Sequence, residues 1–373
     1  MRFPEFEGEW EEYRIEDITE NISSGRCKSH SSSGKYNLYG STGIIGKTNE
    51  ACYEGNLVLV ARVGANAGSL QILNEPCGIT DNTLIIKPKE VDVQYIYYFL
   101  QHFNLNRLIF GSGQPLITGG MLKKVKVSLG TIQEQNKITR LLSILDERIA
   151  TQNKIIDKLQ SLIKGMEDNL LDNPLWKKTY LRSFMQFFPT NSLSWEQLSY
   201  KEGAIRNLHY GLIHDLQTRG INSASLPMIK NEAIPKQYTL CQVGDVAFAD
   251  ASEDTGEIAK SVEFVDTIEG DTICGLHTIH GRDIKNRTVV GFKGFAFNSR
   301  YFHNQIKRLA QGTKVFSITA NNLSSCYVYL PDFDTQKAIV KLLKAYEEKL
   351  LVSKRLLEQY EKQKQYLLRQ MFI

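Results

Sequence analysis

The chain contains 373 residues, of which 42% are hydrophobic and 10% aromatic, and its formal net charge is +4. This composition excludes a disordered tail or a low-complexity linker and predicts an ordered protein with more than one hydrophobic core. The sequence shows no apolar run long enough to cross a membrane and no apolar leader, so we expect a cytoplasmic protein.

Charge is unevenly distributed in the first third of the chain. Residues 1–20 carry eight acidic side chains against Arg2 and Arg14, whereas residues 21–132 carry eleven lysines and arginines against six acids. The net charge of the whole chain therefore does not show that the first domain is basic, because the N-terminal arm is acidic. The net charge by itself does not indicate a nucleic-acid partner.

Six cysteines, at positions 27, 52, 77, 241, 274 and 326, are scattered without a C-x-x-C pair. This spacing argues against a zinc ribbon and, in a chain of this size, against a disulfide scaffold. We expect free thiols in a reducing compartment and no metal site.

The first globular unit is predicted over residues 10–130. β-Branched runs at 55–62 and 82–87 predict strands, and the apolar spacing near 93–103 predicts a helix. Together they predict a compact α+β domain.

A long helix is predicted from about residue 133 to residue 171. Its seam residues step by four and three positions, which is the spacing of a coiled coil. This seam is Ile138, Leu142, Leu145, Ile149, Gln152, Ile156, Leu159, Ile163, Met166 and Leu170.

The sequence also contains an ungapped internal repeat. Residues 111–171 recur 201 positions later as residues 312–372, with 11 identities in 61 positions and a largely shared hydrophobic pattern. A tandem duplication of a globular unit followed by a long helix is therefore predicted. The second globular unit covers about 175–332, with strands predicted at 245–249 and 288–292.

The second helix carries a matching seam with the same polar break. Its residues are Ile339, Leu343, Tyr346, Leu350, Ser353, Leu357, Tyr360, Lys364, Leu367 and Met371. If the helices pair antiparallel in full register, Gln152 and Ser353 meet at the centre, where a buried polar pair can fix register. Alternatively, both residues face water, or each helix forms its own homodimeric coiled coil.

These patterns divide the chain into four parts. Residues 1–132 and 173–333 are predicted as globular domains, and residues 133–172 and 334–373 as spacer helices. A helix of this length measures ~58 Å, which corresponds to ~17 base pairs of B-DNA. Two such helices could therefore set the separation of two reading domains.

Complete catalytic motifs are missing from the sequence. Residues 41–48 (STGIIGKT) approach a phosphate-binding loop, but the first glycine is replaced by Ser41 and no helix is predicted to follow, which favours a turn. Residues 172–176 (DNPLW) lack the second proline of the Asn-Pro-Pro-aromatic motif of amino-methyltransferases and indicate a helix stop.

Polar segments in both units offer weaker signals. The pairs His277/His280 and His209/His214 lack a third metal ligand at a suitable spacing. Residues 23–36 and 277–287 are predicted as polar, basic loops with hydrogen-bond donors for phosphates and base edges. Their occurrence in both halves of a duplicated chain favours DNA binding.

In this order, the segments resemble the specificity (S) subunit of Type I restriction-modification systems, and the resemblance covers essentially the whole chain. The segments that carry it are residues 2–11 (RFPEFEGEWE), 39–46 (YGSTGIIG), 61–69 (ARVGANAGS), 80–83 (TDNT), 111–117 (GSGQPLI), 209–214 (HYGLIH), 244–254 (GDVAFADASED) and 273–278 (ICGLHT). Residues 129–135 and 330–336 resemble the junctions into the family's two helical regions. One departure is Leu212, where an acidic residue is expected, which leaves the role of that segment undefined.

The resemblance implies two target-recognition domains in a pseudo-twofold arrangement, joined by two long helices that form an antiparallel coiled coil. Each domain would read one half of a bipartite, asymmetric DNA target. The helices would set the spacer and dock two methyltransferase subunits, which bind S-adenosylmethionine, and restriction subunits can join. The chain itself is expected to be non-catalytic and to bind no cofactor.

Side chains in the polar segments are the expected DNA contacts, arginine preferring guanine and asparagine adenine. They are Arg26, Lys28, Lys35, Ser41, Thr42, Lys47, Arg62, Asn66, Asn82, Gln114, His209, Tyr210, His277, His280, Arg282, Lys285, Asn286, Arg287 and Lys314.

Two other functions remain open. A fused restriction-modification enzyme would need a cofactor loop and a complete methyltransferase motif, and both are missing from the sequence. A coiled-coil interaction protein that never touches DNA would show no salt-sensitive binding to a bipartite duplex.

Overall fold

The computed structural model describes residues 2–27, 33–109, 114–216, 218–266, 268 and 270–372. The chain forms two compact units, Met1–Asn153 with Leu356–Ile373, and Lys154–Arg355. Both long helices cross this division, so each unit contains a globular part and a portion of each helix. Within the described ranges, no helix is long and apolar enough to cross a membrane.

The globular part of the first unit combines two sheets, a ribbon and short helices. Its elements are β1 (Glu11–Arg14), β2 (Thr19–Ser24), β3 (Tyr36–Gly40), β4 (Gly43–Thr48), β5 (Leu57–Ala61), β6 (Leu70–Leu73), β7 (Cys77–Ile79), β8 (Thr83–Pro88), α1 (Val93–Phe103), α2 (Gly119–Lys123) and β9 (Lys126–Leu129). One sheet has the order β2-β8-β5-β6, another has the order β4-β3-β7, and β1 pairs with β9. The first long helix, α3 (Ile132–Leu171), follows β9 directly.

The second unit is larger. Its elements are β10 (Lys177–Tyr180), β11 (Met185–Phe188), β12 (Leu198–Ser199), β13 (Arg206–Leu208), α4 (Tyr210–Asp215), β14 (Gly220–Ile221), β15 (Met228–Ile229), β16 (Val246–Ala249), β17 (Ala251–Ser252), β18 (Ser261–Phe264), β19 (Thr272–Cys274), β20 (Thr278–Asp283), α5 (Phe292–Ala296), α6 (Arg300–Leu309), β21 (Phe316–Ser317), α7 (Ala320–Ser325), β22 (Tyr327–Leu330) and α8 (Phe333–Met371). The sheet orders are β11-β20-β16-β18-β14 and β12-β15-β13-β19, and β10 pairs with β22.

The two units repeat one topology. The order β2-β8-β5-β6 recurs as β11-β20-β16-β18, and the ribbon of β1 and β9 recurs as β10 and β22. In both small sheets one pair is parallel, β3 with β7 and β13 with β19. The predicted duplicated α+β fold is therefore confirmed, and added edge strands account for part of the greater length of the second unit.

Two local predictions in the second unit are wrong. Residues 288–292, predicted as a strand, form a turn into α5, because the Asp283 carboxylate accepts hydrogen bonds from the N–H groups of Arg287 and Thr288. Residues 277–287, predicted as one polar loop, contain strand β20, which lies between β11 and β16. By contrast, α1 spans the residues predicted as a helix.

Each long helix is tied to its globular part by one buried glutamine. In the first unit, the Gln135 side chain accepts a hydrogen bond from the N–H of Asp92 (3.2 Å) and donates one to the carbonyl five positions before it (2.9 Å). Its repeat counterpart Gln336 accepts from the N–H of Val289 (2.9 Å) and also donates to the carbonyl five positions before it (3.0 Å). Both amides are buried, so removing either leaves half-buried backbone groups without these partners.

The predicted helix seams are buried or half-buried within each unit. In the first unit, Lys364 forms an ion pair with Asp146 at 2.6 Å, and Arg148 lies over the ring of Tyr360. Residue numbers therefore increase along α3 in the direction in which they decrease along α8. This is an antiparallel pairing. Apolar side chains of both helices join the core cluster in each unit.

The polar breaks of the two seams face the interior. Gln152 is 7% exposed and Ser353 is 8% exposed. The alternative in which both face water is therefore wrong. The two residues fall on either side of the division between the units, and their mutual contact stays a prediction.

We expect Gln135→Ala to lower the free energy of unfolding by about 1–3 kcal/mol, because two half-buried backbone groups lose their partner. The matched control is Gln133→Ala, which changes an exposed glutamine of the same helix and should stay within about 0.5 kcal/mol. Urea denaturation of the two variants measures the difference. Equal effects would show that the amide contact is not what stabilises the junction.

Glu347 on α8 should make the second unit pH-sensitive. Burial raises the pKa of Glu347 from 4.5 to about 7, against the opposing effect of Arg219 and with a further rise from Glu167. Between these two pKa values the folded state binds more protons than the unfolded state, so stability is lost as pH rises through about 7. Glu347→Gln should flatten this loss between pH 5 and pH 8, measured by denaturation at both values.

The control for this pH effect is Glu348→Gln, which changes the exposed neighbouring carboxylate. This variant should keep the pH dependence of the unchanged protein. The same slope in both variants would assign the pH dependence to other groups.

Candidate nucleic-acid interface

The large sheet of each unit ends in the same backbone junction. In the first unit, the N–H of Arg62 donates to the carbonyl of Asn82 (3.0 Å), and the carbonyl of Arg62 accepts from Ile117 (2.8 Å). In the second, Asp250 donates to His277 (3.0 Å) and accepts from Ile318 (2.9 Å). Ile117 and Ile318 are related by the repeat offset, so the duplication preserved this backbone arrangement.

The first junction gathers polar side chains from four segments of the chain. Arg26 follows Gly25, whose N–H bonds to the carbonyl of Thr83 at the start of β8. Gln114 precedes Pro115, whose carbonyl accepts from Gly64 just after β5. The candidates at this edge are Arg26, Arg62, Asn66, Asn82 and Gln114, all exposed except the half-buried Arg62.

Arg62 is the best-held cation of this edge. Its Nη1 donates to the carbonyl of Asp81 at 3.4 Å. Its Nε is buried, and the described residues offer it no hydrogen-bond partner. A half-buried guanidinium beside a polar sheet edge suits a phosphate or a guanine edge.

Other candidates of the first unit lie outside this junction. Ser41 and Thr42 form the turn between β3 and β4, beside Gly40, whose carbonyl is bonded by a side chain of β6. Lys35 lies over the ring of Tyr36 at 5.1 Å, and Lys47 is exposed on β4. Lys28 lies outside the described residues.

The second junction carries aromatic and acidic side chains instead. His277 is exposed, and its Nδ1 lies 3.1 Å from Asp250 Oδ1. The ring of Tyr210 meets His277 edge-on at 5.2 Å, and the ring of His209 lies 4.7 Å from Tyr210. Trp195 continues this row at 4.4 Å from His209.

His209 supports this row from inside. The side chain caps α4 by accepting the N–H of Gly211 at 3.2 Å, and it is buried. Burial, with a contribution from His277, lowers the pKa of His209, so the ring stays neutral near pH 7. Trp195 and Asp250 were not among the predicted contacts, because only the tertiary fold brings them beside His277.

His280 and Arg282 bond inward to Asp245. His280 Nε2 lies 2.7 Å from Asp245 Oδ2, and Arg282 donates Nε and Nη2 to the two carboxylate oxygens at 2.8 and 2.7 Å. Burial by itself raises the pKa of Asp245, but the hydrogen bonds from Arg282 and His280 outweigh it and lower that pKa. The side chain of His280 is 1% exposed, so it is not accessible to a DNA duplex. Arg282 is half-buried, and its guanidinium is bonded to the Asp245 carboxylate.

Strand β20 separates the remaining candidates of the second unit. His277 precedes the strand, whereas Lys285, Asn286 and Arg287 follow it at the opposite end, about 20 Å away. At that end the carbonyl of Arg287 accepts a hydrogen bond from Gln336. All three are exposed. Lys314 is exposed just before β21, the partner of β17, and therefore lies on the side of Asp250.

Comparison with known proteins gives consistent matches. Residues 7–161 match the family model of the Type I restriction modification DNA specificity domain. The chain is 25% identical over 332 residues to the specificity subunit of the type I restriction enzyme MjaVIII of Methanocaldococcus jannaschii, covering 83% of this chain and 76% of that protein. Its fold is similar to that of a Type I restriction-modification S subunit from M. genitalium, with a TM-score of 0.66, 17% identity, and coverage of 98% and 96% of the two chains.

A duplicated α+β unit, with a polar sheet edge in each copy and a long helix after each copy, is the architecture that the structure shows. Across most of its length the chain is similar in sequence to a specificity subunit of a Type I restriction enzyme. It also shares the fold of a solved Type I restriction-modification S subunit.

If the first junction contacts DNA, Arg62→Ala should weaken binding of the target duplex by about 1–3 kcal/mol. The control is Lys89→Ala, which removes the same charge just beyond the opposite end of β8 and should change affinity little. Fluorescence anisotropy at two salt concentrations measures both variants. An equal loss of duplex affinity in the two variants would show that Arg62 contributes only general electrostatic attraction.

Proposed function

We propose that the two sheet edges are the DNA-reading surfaces, one for each half of a bipartite target. The observation that carries the proposal is the repeated junction, in which the same backbone hydrogen bonds present Arg62 and Asn82 in one unit and Asp250 and His277 in the other. Identical scaffolds with different side chains read different bases, so the two half-sites should be unlike.

The side chains suggest how each edge reads DNA. Arg26 and Arg62 can bind guanine edges or phosphates, and Asn66 and Asn82 can bind adenine. These four lie at one edge, where a single groove can reach them.

The second edge has a different chemistry. Asp250 can accept a hydrogen bond from a cytosine amino group, and His277 can contact a base edge or a phosphate. The rings of Tyr210 and Trp195 offer apolar contact to a thymine methyl group. This edge therefore relies less on positive charge than the first one does.

The long helices are proposed to set the spacing of the half-sites and to dock two methyltransferase subunits carrying S-adenosylmethionine. Apolar side chains off the seams support the docking role, since Leu162 is 45% exposed, Leu342 41% and Val352 61%. Restriction subunits would join this complex, and the chain itself would contribute recognition without catalysis.

Exchange of residues 1–132 for the corresponding domain of another family member tests the proposal. Mapping of methylated adenines in cells that also contain the methyltransferase subunit should show one half-site changed and the other half-site and the gap retained. The complementary exchange of residues 173–333 should change the other half-site alone. A change in both half-sites from either exchange would contradict separate reading surfaces.

A further inference from the structure

Three soft metal ligands converge inside the second unit. The Cys241 and Cys274 sulfurs lie 3.6 Å apart, and these atoms and a ring nitrogen of His280 all lie within 4.8 Å of one another. All three side chains are buried. Cys274 ends β19 in one sheet and His280 lies on β20 in the other, so the cluster joins the two sheets.

The first unit provides an internal comparison for this cluster. The strand registers and matching backbone hydrogen bonds identify its counterparts as Tyr53 for Cys241, Ile79 for Cys274, Ile85 for His280 and Leu57 for Asp245. These counterparts belong to, or pack against, an apolar core cluster. At these four counterpart positions the first unit therefore has no thiol, imidazole or carboxylate, although the Cys77 thiol belongs to the same cluster. The fold does not need the four polar side chains of the second unit to pack its two sheets together.

The surroundings of His280 are those of a metal ligand. Its Nε2 donates to Asp245 at 2.7 Å, which leaves the lone pair of Nδ1 for a metal. A ligating histidine commonly donates its other N–H to a carboxylate, which fixes the ring orientation. Arg282 holds that carboxylate with two further hydrogen bonds.

The charges of such a site balance. Two thiolates and a neutral imidazole cancel the charge of one divalent cation, and Asp245 cancels Arg282. A buried ion without net charge avoids most of the cost of an unpaired buried charge.

We propose that Cys241, Cys274 and His280 bind one divalent transition-metal ion that links the two sheets of the second unit. Two sulfurs and one imidazole nitrogen are a ligand set that zinc favours. Binding forms two metal–thiolate bonds, and the two thiol protons leave to solvent. Because binding releases these protons, affinity should increase with pH.

The test uses the full chain, purified under reducing conditions and stripped with a chelator. Titration with zinc chloride should give one equivalent bound per chain and a rise in Tm, because a ligand that binds only the folded state stabilises it. Titration with cobalt chloride should give the charge-transfer absorption of cobalt–thiolate bonds. These measurements use no DNA, so they can fail while the proposed function holds.

Matched variants locate the site. Cys241→Ser, Cys274→Ser and His280→Asn should each lower zinc affinity at least tenfold. Cys326→Ser, which changes a buried thiol of the same unit outside the cluster, should retain the full equivalent. Asp245→Asn should retain the stoichiometry and lower affinity about 10–100-fold, as expected for a residue that orients a ligand.

Three results would overturn the proposal. The first is no zinc or cobalt binding by the stripped, unchanged protein at micromolar metal, which is independent of whether any variant folds. The second is an equivalent of metal retained in both cysteine variants. The third is a Cys241–Cys274 disulfide in protein purified without reductant, identified by mass spectrometry of the linked peptides.

Discussion

The buried amides of Gln135 and Gln336 set the geometry on which the rest of the structure depends. Each amide lies in the first turns of its helix and bonds two backbone groups of the globular part that precedes the helix. Because these partners are main-chain atoms, the exit direction of the helix does not depend on side chains at the sheet edges. The duplication could therefore keep the helices constant while the side chains at the sheet edges diverged.

At the sheet edges, too, the backbone hydrogen bonds are the same in both units although the side chains differ. The hydrogen bonds made by Arg62 in the first unit are made by Asp250 in the second. Since the backbone satisfies its own polar groups, a cation in one copy and an anion in the other are equally compatible with the fold. Side chains inside the sheets also differ in chemistry between the units: His280 in the second unit occupies the position of Ile85 in the first.

The helices and the repeat were predictable because their signals are local. A seam with heptad spacing indicates a helix from the order of residues alone, and α3 and α8 follow the predicted seams. One failure involves strand partners that are distant in sequence, and the other a side-chain contact within a short turn. Strand β20 reads as a polar loop because its neighbours β11 and β16 come from elsewhere in the chain, and the turn at 288–292 depends on the carboxylate of Asp283.

The sequence by itself determined the duplication and the two helix seams, because periodicity and repetition are properties of residue order. It indicated the class of protein only through its resemblance to a known family. Only the tertiary structure decided which polar residues reach a surface. It placed Arg62 beside Asn82 at an open edge and turned His280 inward to Asp245, although composition presents both arginine and histidine as DNA contacts. Burial and long-range pairing depend on the packing of distant strands, which the spacing of residues along one segment does not encode.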